Sequence, residues 1–115
     1  MNLQFDISTE KEVSVLTLKG KIISDLDLEK LNQEFLAKNE NKATKWVFDF
    51  THLTHINSSG MNFVIRSLTR SRINQGDVVL CSVQGNVKKL FEIAKLNQIF
   101  NVFEEISEAI NHFKN

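Results

Sequence analysis

The fold is decided by residues 46–83, which read WVFDFTHLTHINSSGMNFVIRSLTRSRINQGDVVLCSV. This stretch begins with a short apolar run, Trp46 to Phe50, and ends with a second one, Val78 to Val83. Continuous apolar runs of this length are typical of strands buried on both faces of a sheet. The two runs are therefore predicted to be parallel neighbours or near-neighbours in one sheet, joined by a helix.

The segment between the two runs has the pattern of an amphipathic helix. Its apolar residues recur at positions i, i+3, i+4 and i+7, namely Met61, Val64, Ile65 and Leu68. This spacing predicts a helix over about Ser58 to Asn74, with Gly76 ending it in a left-handed conformation. Residues 51–57 are predicted to form a polar loop between strand and helix.

A hairpin and a further helix are predicted upstream. Alternating apolar residues and a short polar connection indicate a β-hairpin with strands over residues 3–7 and Val13–Leu18. Residues 24–27 supply a capping side chain and the acidic residues favoured at a helix start. A helix is predicted from about Asp25 to Lys38, followed by a turn over residues 39–42.

Downstream, helical spacing occurs twice more. It is formed first by Val87, Leu90, Phe91 and Ala94, and then by Ile106, Ala109, Ile110 and Phe113. A short apolar link over residues 99–103 could add a strand. Strands separated by helices require a mostly parallel sheet with right-handed crossovers. The prediction is an α/β sandwich with four to five strands and about four helices.

Length and composition restrict the class of protein. With 115 residues, of which 42% are hydrophobic and 24% charged, the chain is expected to form one globular domain over residues 1–115. Fourteen Lys and Arg balance 14 Asp and Glu, which disfavours a nucleic-acid partner. Apolar runs far shorter than the roughly 20 residues of a membrane span, and the lack of a secretory start, predict a cytoplasmic protein without direct membrane insertion. The single cysteine, Cys81, is expected to be an inert core residue and excludes Cys₄ and Cys₂His₂ zinc sites.

The most informative motif is Asn57-Ser58-Ser59-Gly60, at the predicted helix start. A helix start presents unpaired backbone N–H groups and a partial positive charge, which suit an anionic group such as phosphate. In a simpler interpretation, Asn57, Ser58 or Ser59 only caps the helix. The residues alone leave both interpretations open.

The motif and the order of elements resemble the STAS domain, the family of bacterial anti-sigma factor antagonists. The family signature is a strand ending in Asp, a loop, and Asp-Ser-Ser-Gly opening a helix; here Asp49 and residues 57–60 take these places. The resemblance continues downstream through Val87–Phe91 and Leu96–Phe103. The chain departs from the pattern at Asn57, where the family usually has aspartate, and at Lys95, where it often has a helix-ending glycine.

The resemblance implies a phosphorylation-controlled protein-interaction module in a partner-switching pathway. In that family the first serine of the motif, here Ser58, is phosphorylated by an anti-sigma factor serine kinase and reset by a metal-dependent serine phosphatase. The unphosphorylated antagonist binds the kinase and frees the sigma factor. The chain itself is then no enzyme and needs no cofactor or metal. The residues expected to support the site are Asp49, Asn57, Ser59 and Gly60.

Partner contacts are expected along the helix that follows Ser58, with Asn62, Phe63, Arg66 and Arg70 as candidates. Arg66 and Arg70 lie at i and i+4 on the face away from the core, as either a solvated surface or a contact for an acidic partner. Phe63 lies off the main apolar face and is either a partner anchor or partly buried.

Two other functions are compatible with the sequence. Asn57 favours a non-phosphorylated STAS subunit that regulates or scaffolds another complex, such as a membrane transporter. A small serine hydrolase would use Ser58 with His52 or His55 and Asp49. However, the Gly-x-Ser-x-Gly elbow of such enzymes is missing at Ser58.

Overall fold

The computed structural model describes residues 2–40 and 43–114. They form one five-stranded sheet in the order β1-β2-β3-β4-β5. The strands are β1 (Leu3–Glu10), β2 (Val13–Ile22), β3 (Lys45–Ile56), β4 (Asp77–Cys81) and β5 (Val102–Phe103). The helices are α1 (Asp25–Glu40), α2 (Ser58–Ile73), α3 (Gly85–Ile93) and α4 (Ile106–Asn111), with a short 3₁₀ helix at Leu96–Gln98.

Only the first pair of strands is antiparallel. β1 and β2 form the predicted hairpin, and the other neighbouring pairs are parallel. Strand β3 lies directly beside β4, with Trp46 opposite Val78 and Asp49 opposite Cys81. The predicted α/β sandwich and the parallel pairing of the two apolar runs are therefore confirmed.

The sheet is covered unequally on its two faces. Trp46, Phe48 and Phe50 of β3 belong to the larger core, to which α1, α2 and α3 contribute their apolar residues. Val47 belongs to a smaller cluster on the opposite face, which is covered by Ala109 and Ile110 of α4. This arrangement follows from the period-2 alternation of side chains along a strand.

Helix α2 buries the predicted Val64 and Leu68, but its buried face is centred differently from the one predicted. Met61 and Ile65 are only half-buried. The buried residues are Gly60, Phe63, Val64, Ser67, Leu68 and Ser71. Polar Ser67 and Ser71 complete the buried stripe, so apolar periodicity alone identified only part of the buried face.

Phe63 is not available to a partner. Its side chain is 1% exposed and packs among aromatic rings of the core. Its ring centroid lies 5.5 Å from that of Phe35 and 6.0 Å from that of Phe48. The interpretation of Phe63 as a partner anchor is therefore wrong, because α2 is rotated to bury this ring.

The polar loop predicted over residues 51–57 is also wrong, because β3 continues to Ile56. Strand β2 extends equally far and pairs with it, with register shifts near Thr17/Lys19 and Gly20/Lys21. These irregularities bury Phe50, Leu53 and Ile56, which are three residues apart. Such spacing does not show the period of a regular strand.

Two helix ends, those of α1 and α2, differ in detail from expectation. Helix α1 extends through Glu40, so the predicted turn is not formed at 39–40, and its remaining residues, 41 and 42, lie outside the described residues. After α2 the left-handed residue is Gln75, with φ 67°, and not Gly76. Gly76 instead allows the backbone to pass close to Thr44, since a Cβ there would overlap the carbonyl oxygen of Thr44. Lys95, in the place of the family's glycine, takes the left-handed conformation, with φ 58°.

Candidate functional site

The candidate site is the junction of β3 and α2, and Asn57 organises it. Its side-chain Oδ1 accepts a hydrogen bond from the Gly60 N–H at 2.8 Å. Its own N–H donates to the carbonyl of Ile22 at the end of β2, at 3.0 Å. Asn57 is therefore the N-cap of α2 and attaches the start of the helix to the neighbouring strand.

Since Asn57 caps the helix, the two serines are left for other roles. Ser58 is the first residue of α2 and its side chain is exposed, whereas Ser59 is half-buried. Within the described part of the chain, the Ser58 hydroxyl has no hydrogen-bond partner. Ser58 is therefore the more accessible serine of this motif to a second protein.

The electrostatic surroundings of Ser58 suit a negative group. Helix α2 is 16 residues long, so the unpaired N–H groups of its first turn carry the partial positive charge of a full helix dipole. That first turn, which the structure describes completely, contains no acidic residue. A phosphate on Ser58 would therefore meet no like charge from its own turn.

Gly60 lets the helix start close to the sheet. A Cβ at this position would lie 2.7 Å from Ile56 Cγ1 and 2.9 Å from Ile22 Cγ2, closer than carbon atoms can approach. Glycine is thus required for the packing of the helix start against the ends of β2 and β3. The resemblance had implied a supporting role for Gly60, and this packing gives that role a physical basis.

Two exposed apolar side chains lie close in the chain to the end of β2 that holds Asn57, and they were missed in the sequence. Ile23 is 49% exposed and Leu26 is 74% exposed. They follow Ile22, whose carbonyl holds Asn57. Their exposure could have been inferred from the sequence, because both residues lie outside the apolar helical stripe of Leu28, Leu31 and Phe35 and next to the capping residues of α1.

Asp49 lies far from the serines. It is in the middle of β3, opposite Thr17 on one side and Cys81 on the other. Its Oδ1 accepts hydrogen bonds from the backbone N–H and hydroxyl of Thr51, at 3.0 and 2.6 Å. Asp49 and Ile56 lie opposite Thr17 and Ile22 of β2, and the five residue steps between these partners span roughly 16 Å at about 3.3 Å per residue. The expectation that Asp49 ends the strand beside the motif is wrong, because β3 is longer than its apolar run.

Cys81 is buried, with 0% of its surface exposed, as expected of a core residue. Burial, followed by the neighbouring carboxylate of Asp49, raises the pKa of its thiol to about 12. The reactive thiolate is therefore suppressed at neutral pH.

Two side chains that a serine hydrolase would need, Asp49 and His55, have other hydrogen-bond partners. Asp49 accepts a hydrogen bond from Thr51, and His55 Nδ1 lies 2.9 Å from the hydroxyl of Thr54. The hydrogen bonds of the described residues thus do not connect acid, histidine and Ser58 into a relay.

The described residues also contain no group of three or more His, Cys, Asp or Glu side chains able to hold a metal. None of the helices described is both long and apolar enough to cross a membrane.

Three of the expected contact residues do lie on the outer face of α2. Asn62, Arg66 and Arg70 are all exposed. Arg66 follows Ser58 by eight residues, about 12 Å along the helix axis. The arginines thus belong to a different part of the surface from the serine.

Comparison with known proteins gives a consistent result. A family model described as the STAS domain matches residues 4–109. BtrV of Bordetella bronchiseptica, a candidate anti-sigma factor antagonist, is 29% identical over 100 residues, covering 87% of this chain and 85% of BtrV.

Solved structures show the same fold. An anti-sigma factor antagonist from Mycobacterium paratuberculosis superposes with a TM-score of 0.84 at 15% identity, covering 98% of this chain and 95% of that one. The phosphorylated form of the Bacillus cell fate determinant SpoIIAA gives a TM-score of 0.77 at 20% identity, covering 95% and 98%.

Proposed function

The chain belongs to the STAS domain family, and we propose that it is a phosphorylation-controlled anti-sigma factor antagonist with Ser58 as the phosphoacceptor. The observation that carries this proposal is the division of roles at the start of α2. Asn57 caps the helix, Ser59 is half-buried, and Ser58 is the more exposed of the two serines. The likeness to SpoIIAA, a protein of this fold solved in phosphorylated and unphosphorylated forms, supports the same assignment.

Phosphorylation at this position leaves the fold intact. A phosphate adds a charge of about −1.5 to −2 and three acceptor oxygens. A negative charge at a helix start is stabilising by about 0.3–1 kcal/mol where the surface is exposed. The switch therefore lies in the contact with the partner rather than in a rearrangement of the domain.

In this proposal, the exposed apolar side chains of Ile23 and Leu26, which follow the end of β2 that holds Asn57, give the unphosphorylated state its docking surface. Covering such side chains removes apolar surface from water and favours association. The same contact buries the position of the Ser58 hydroxyl. A phosphate there, buried without a counter-ion, opposes docking by several kcal/mol.

The partners follow from this role. An anti-sigma factor serine kinase both binds the unmodified protein and phosphorylates it, and a metal-dependent serine phosphatase restores the unmodified state. Asp49 is given no direct role in either step, because it lies within β3 and is hydrogen-bonded to Thr51. This exchange of partners takes place in the cytoplasm, where sigma factors act.

The test is the intact mass of the protein purified from its own host, as wild type, Ser58→Ala and Ser59→Ala. We expect one added phosphate in wild type and in Ser59→Ala, and none in Ser58→Ala. Ser59→Ala is a matched control because it removes the adjacent hydroxyl of the same turn. Phosphate retained in Ser58→Ala would reject the assignment.

Asn57 supports a second candidate function, a non-phosphorylated STAS subunit that regulates or scaffolds another complex. An amide caps the helix as aspartate does but carries no charge for the chemistry of phosphate transfer. Under this alternative, none of the three proteins carries phosphate, even when the pathway is active. The same mass measurement therefore separates the two functions.

A further inference from the structure

A groove of about 260 Å³ lies between α1 and α2, away from Ser58. The buried rings of Phe35 and Phe63 line its base, and Leu36 of α1, 38% exposed, lies at its edge. Arg66 and Arg70 of α2 line it as well, with both side chains exposed. The groove thus combines an apolar base with two positive charges.

The two arginines are not neutralised within the described part of the chain. Arg72 of the same helix pairs with Asp77, its Nε lying 3.2 Å from the carboxylate Oδ1. Neither Arg66 nor Arg70 makes an ion pair with any described residue. Moreover, none of the described residues that line the groove carries a carboxylate. Two guanidinium groups, each able to bind a carboxylate through paired hydrogen bonds, are left for an external acid.

We propose that this groove binds an acidic amphipathic helix of a partner protein. Arg66 and Arg70 are four residues apart, about 6 Å along the axis of α2. Carboxylates at i and i+4 of a partner helix have the same spacing. An apolar side chain between them reaches Leu36 and the base of the groove, the usual arrangement of a helix bound in a groove.

The chemistry favours a protein partner over a nucleic acid. The chain as a whole has no net charge, with 14 basic and 14 acidic residues. Non-specific nucleic-acid binding depends on a broad positive surface and on exposed aromatic rings for stacking. The rings of this groove, Phe35 and Phe63, are only 2% and 1% exposed.

This binding surface is separate from the proposed phosphorylation site. Arg66 is about 12 Å along the axis from Ser58, beyond a Debye length of roughly 8–10 Å at physiological salt. The groove therefore binds equally well whether or not Ser58 carries a negative charge. Its test can fail while the phosphorylation proposal stands, and the reverse also holds.

The test uses the full chain, labelled with ¹⁵N, and a synthetic helical peptide with glutamates at i and i+4 around a leucine. We expect amide chemical-shift changes at Leu36, Arg66 and Arg70 that saturate with peptide. A peptide with glutamine in place of both glutamates should bind weaker by about tenfold or more, which corresponds to about 1.4 kcal/mol. Ser58→Asp should bind the acidic peptide as wild type does.

Charge reversal provides the decisive control. The double variant Arg66→Glu/Arg70→Glu should lose the acidic peptide and gain a peptide with lysines in place of the glutamates. The control Lys88→Glu/Lys89→Glu makes the same charge change at exposed positions of α3 and should bind the acidic peptide like wild type. Circular dichroism establishes that both variants are folded.

Three results with the peptides would overturn the proposal. These are no shifts at the groove at millimolar peptide, equal affinity for the glutamate and glutamine peptides, and equal loss of binding in the Lys88/Lys89 control. A single-stranded oligothymidine that shifts the same residues at lower concentration than the acidic peptide would also overturn it, since it would indicate a nucleic-acid surface.

Discussion

Replacing Asn57 tests whether its side chain holds the start of α2. Asn57→Ala removes the acceptor of the 2.8 Å hydrogen bond from the Gly60 N–H. Losing such a cap typically costs about 0.5–2 kcal/mol, and Gly60 is buried, which places the cost in the upper half of this range. With about 2.1 cal/mol/K per residue, the unfolding entropy of 115 residues converts 1 kcal/mol into about 4 °C. We expect the Tm of Asn57→Ala to fall by about 4–8 °C.

Asn57→Asp should behave differently, because a carboxylate oxygen accepts the same hydrogen bond. Its negative charge at the helix start adds about 0.3–1 kcal/mol, so the Tm should stay level or rise by up to about 4 °C. The assay is thermal unfolding followed by circular dichroism at neutral pH. Asn62→Ala, at an exposed position of the same helix, is the control and should not lower the Tm. An unchanged Tm for Asn57→Ala, or an equal loss for Asn57→Asp, would refute the capping role.

Three further changes have expected outcomes. Ser71→Ala should raise the free energy of unfolding by about 1–2 kcal/mol, because its buried hydroxyl has no hydrogen-bond partner among the described residues. Ser67→Ala is the matched control and should show no such gain, because the Ser67 hydroxyl donates a hydrogen bond to a backbone carbonyl at 2.7 Å. Equal gains for the two variants in urea titrations would contradict this expectation. Gly60→Ala should lower the free energy of unfolding by about 1–3 kcal/mol through overpacking against β2 and β3. A stabilised variant in the same titration would show that the helix start has room for a methyl group. Cys81 should react with a thiol reagent at neutral pH only as fast as the protein unfolds, since its pKa is raised to about 12; rapid labelling of the native protein would contradict its burial.

The order of elements could be predicted because its signals are strong. The apolar runs at Trp46–Phe50 and Val78–Val83 are too short for helices and too continuous for loops, and the helical spacing between them requires a crossover. The extension of β3 to Ile56 could not be predicted in the same way. Its register shifts bury every third residue, and the intervening histidines and threonines have the composition of a loop.

The motif of residues 57–60 lies at the start of a helix, as predicted, but the geometry of this helix start was not accessible from sequence. Asn57, Ser58 and Ser59 are all acceptable N-cap residues. The capping residue is the one that directly precedes the helix, so identifying it requires the first residue of α2 to be known exactly. That boundary depends in turn on the hydrogen bond from the Asn57 N–H to the end of β2. The burial of Phe63 likewise could not be predicted, because the face of α2 that buries it includes Ser67 and Ser71, and serines are usually found at the surface.

The dissociation constant for the serine kinase that phosphorylates the protein tests the central claim most directly. It is measured for the unmodified protein and for the protein carrying one phosphate at Ser58. We expect the phosphorylated form to bind the kinase about tenfold or more weakly, while Ser58→Ala incubated with the same kinase and ATP keeps the affinity it had before. Equal affinities for the two forms would contradict it.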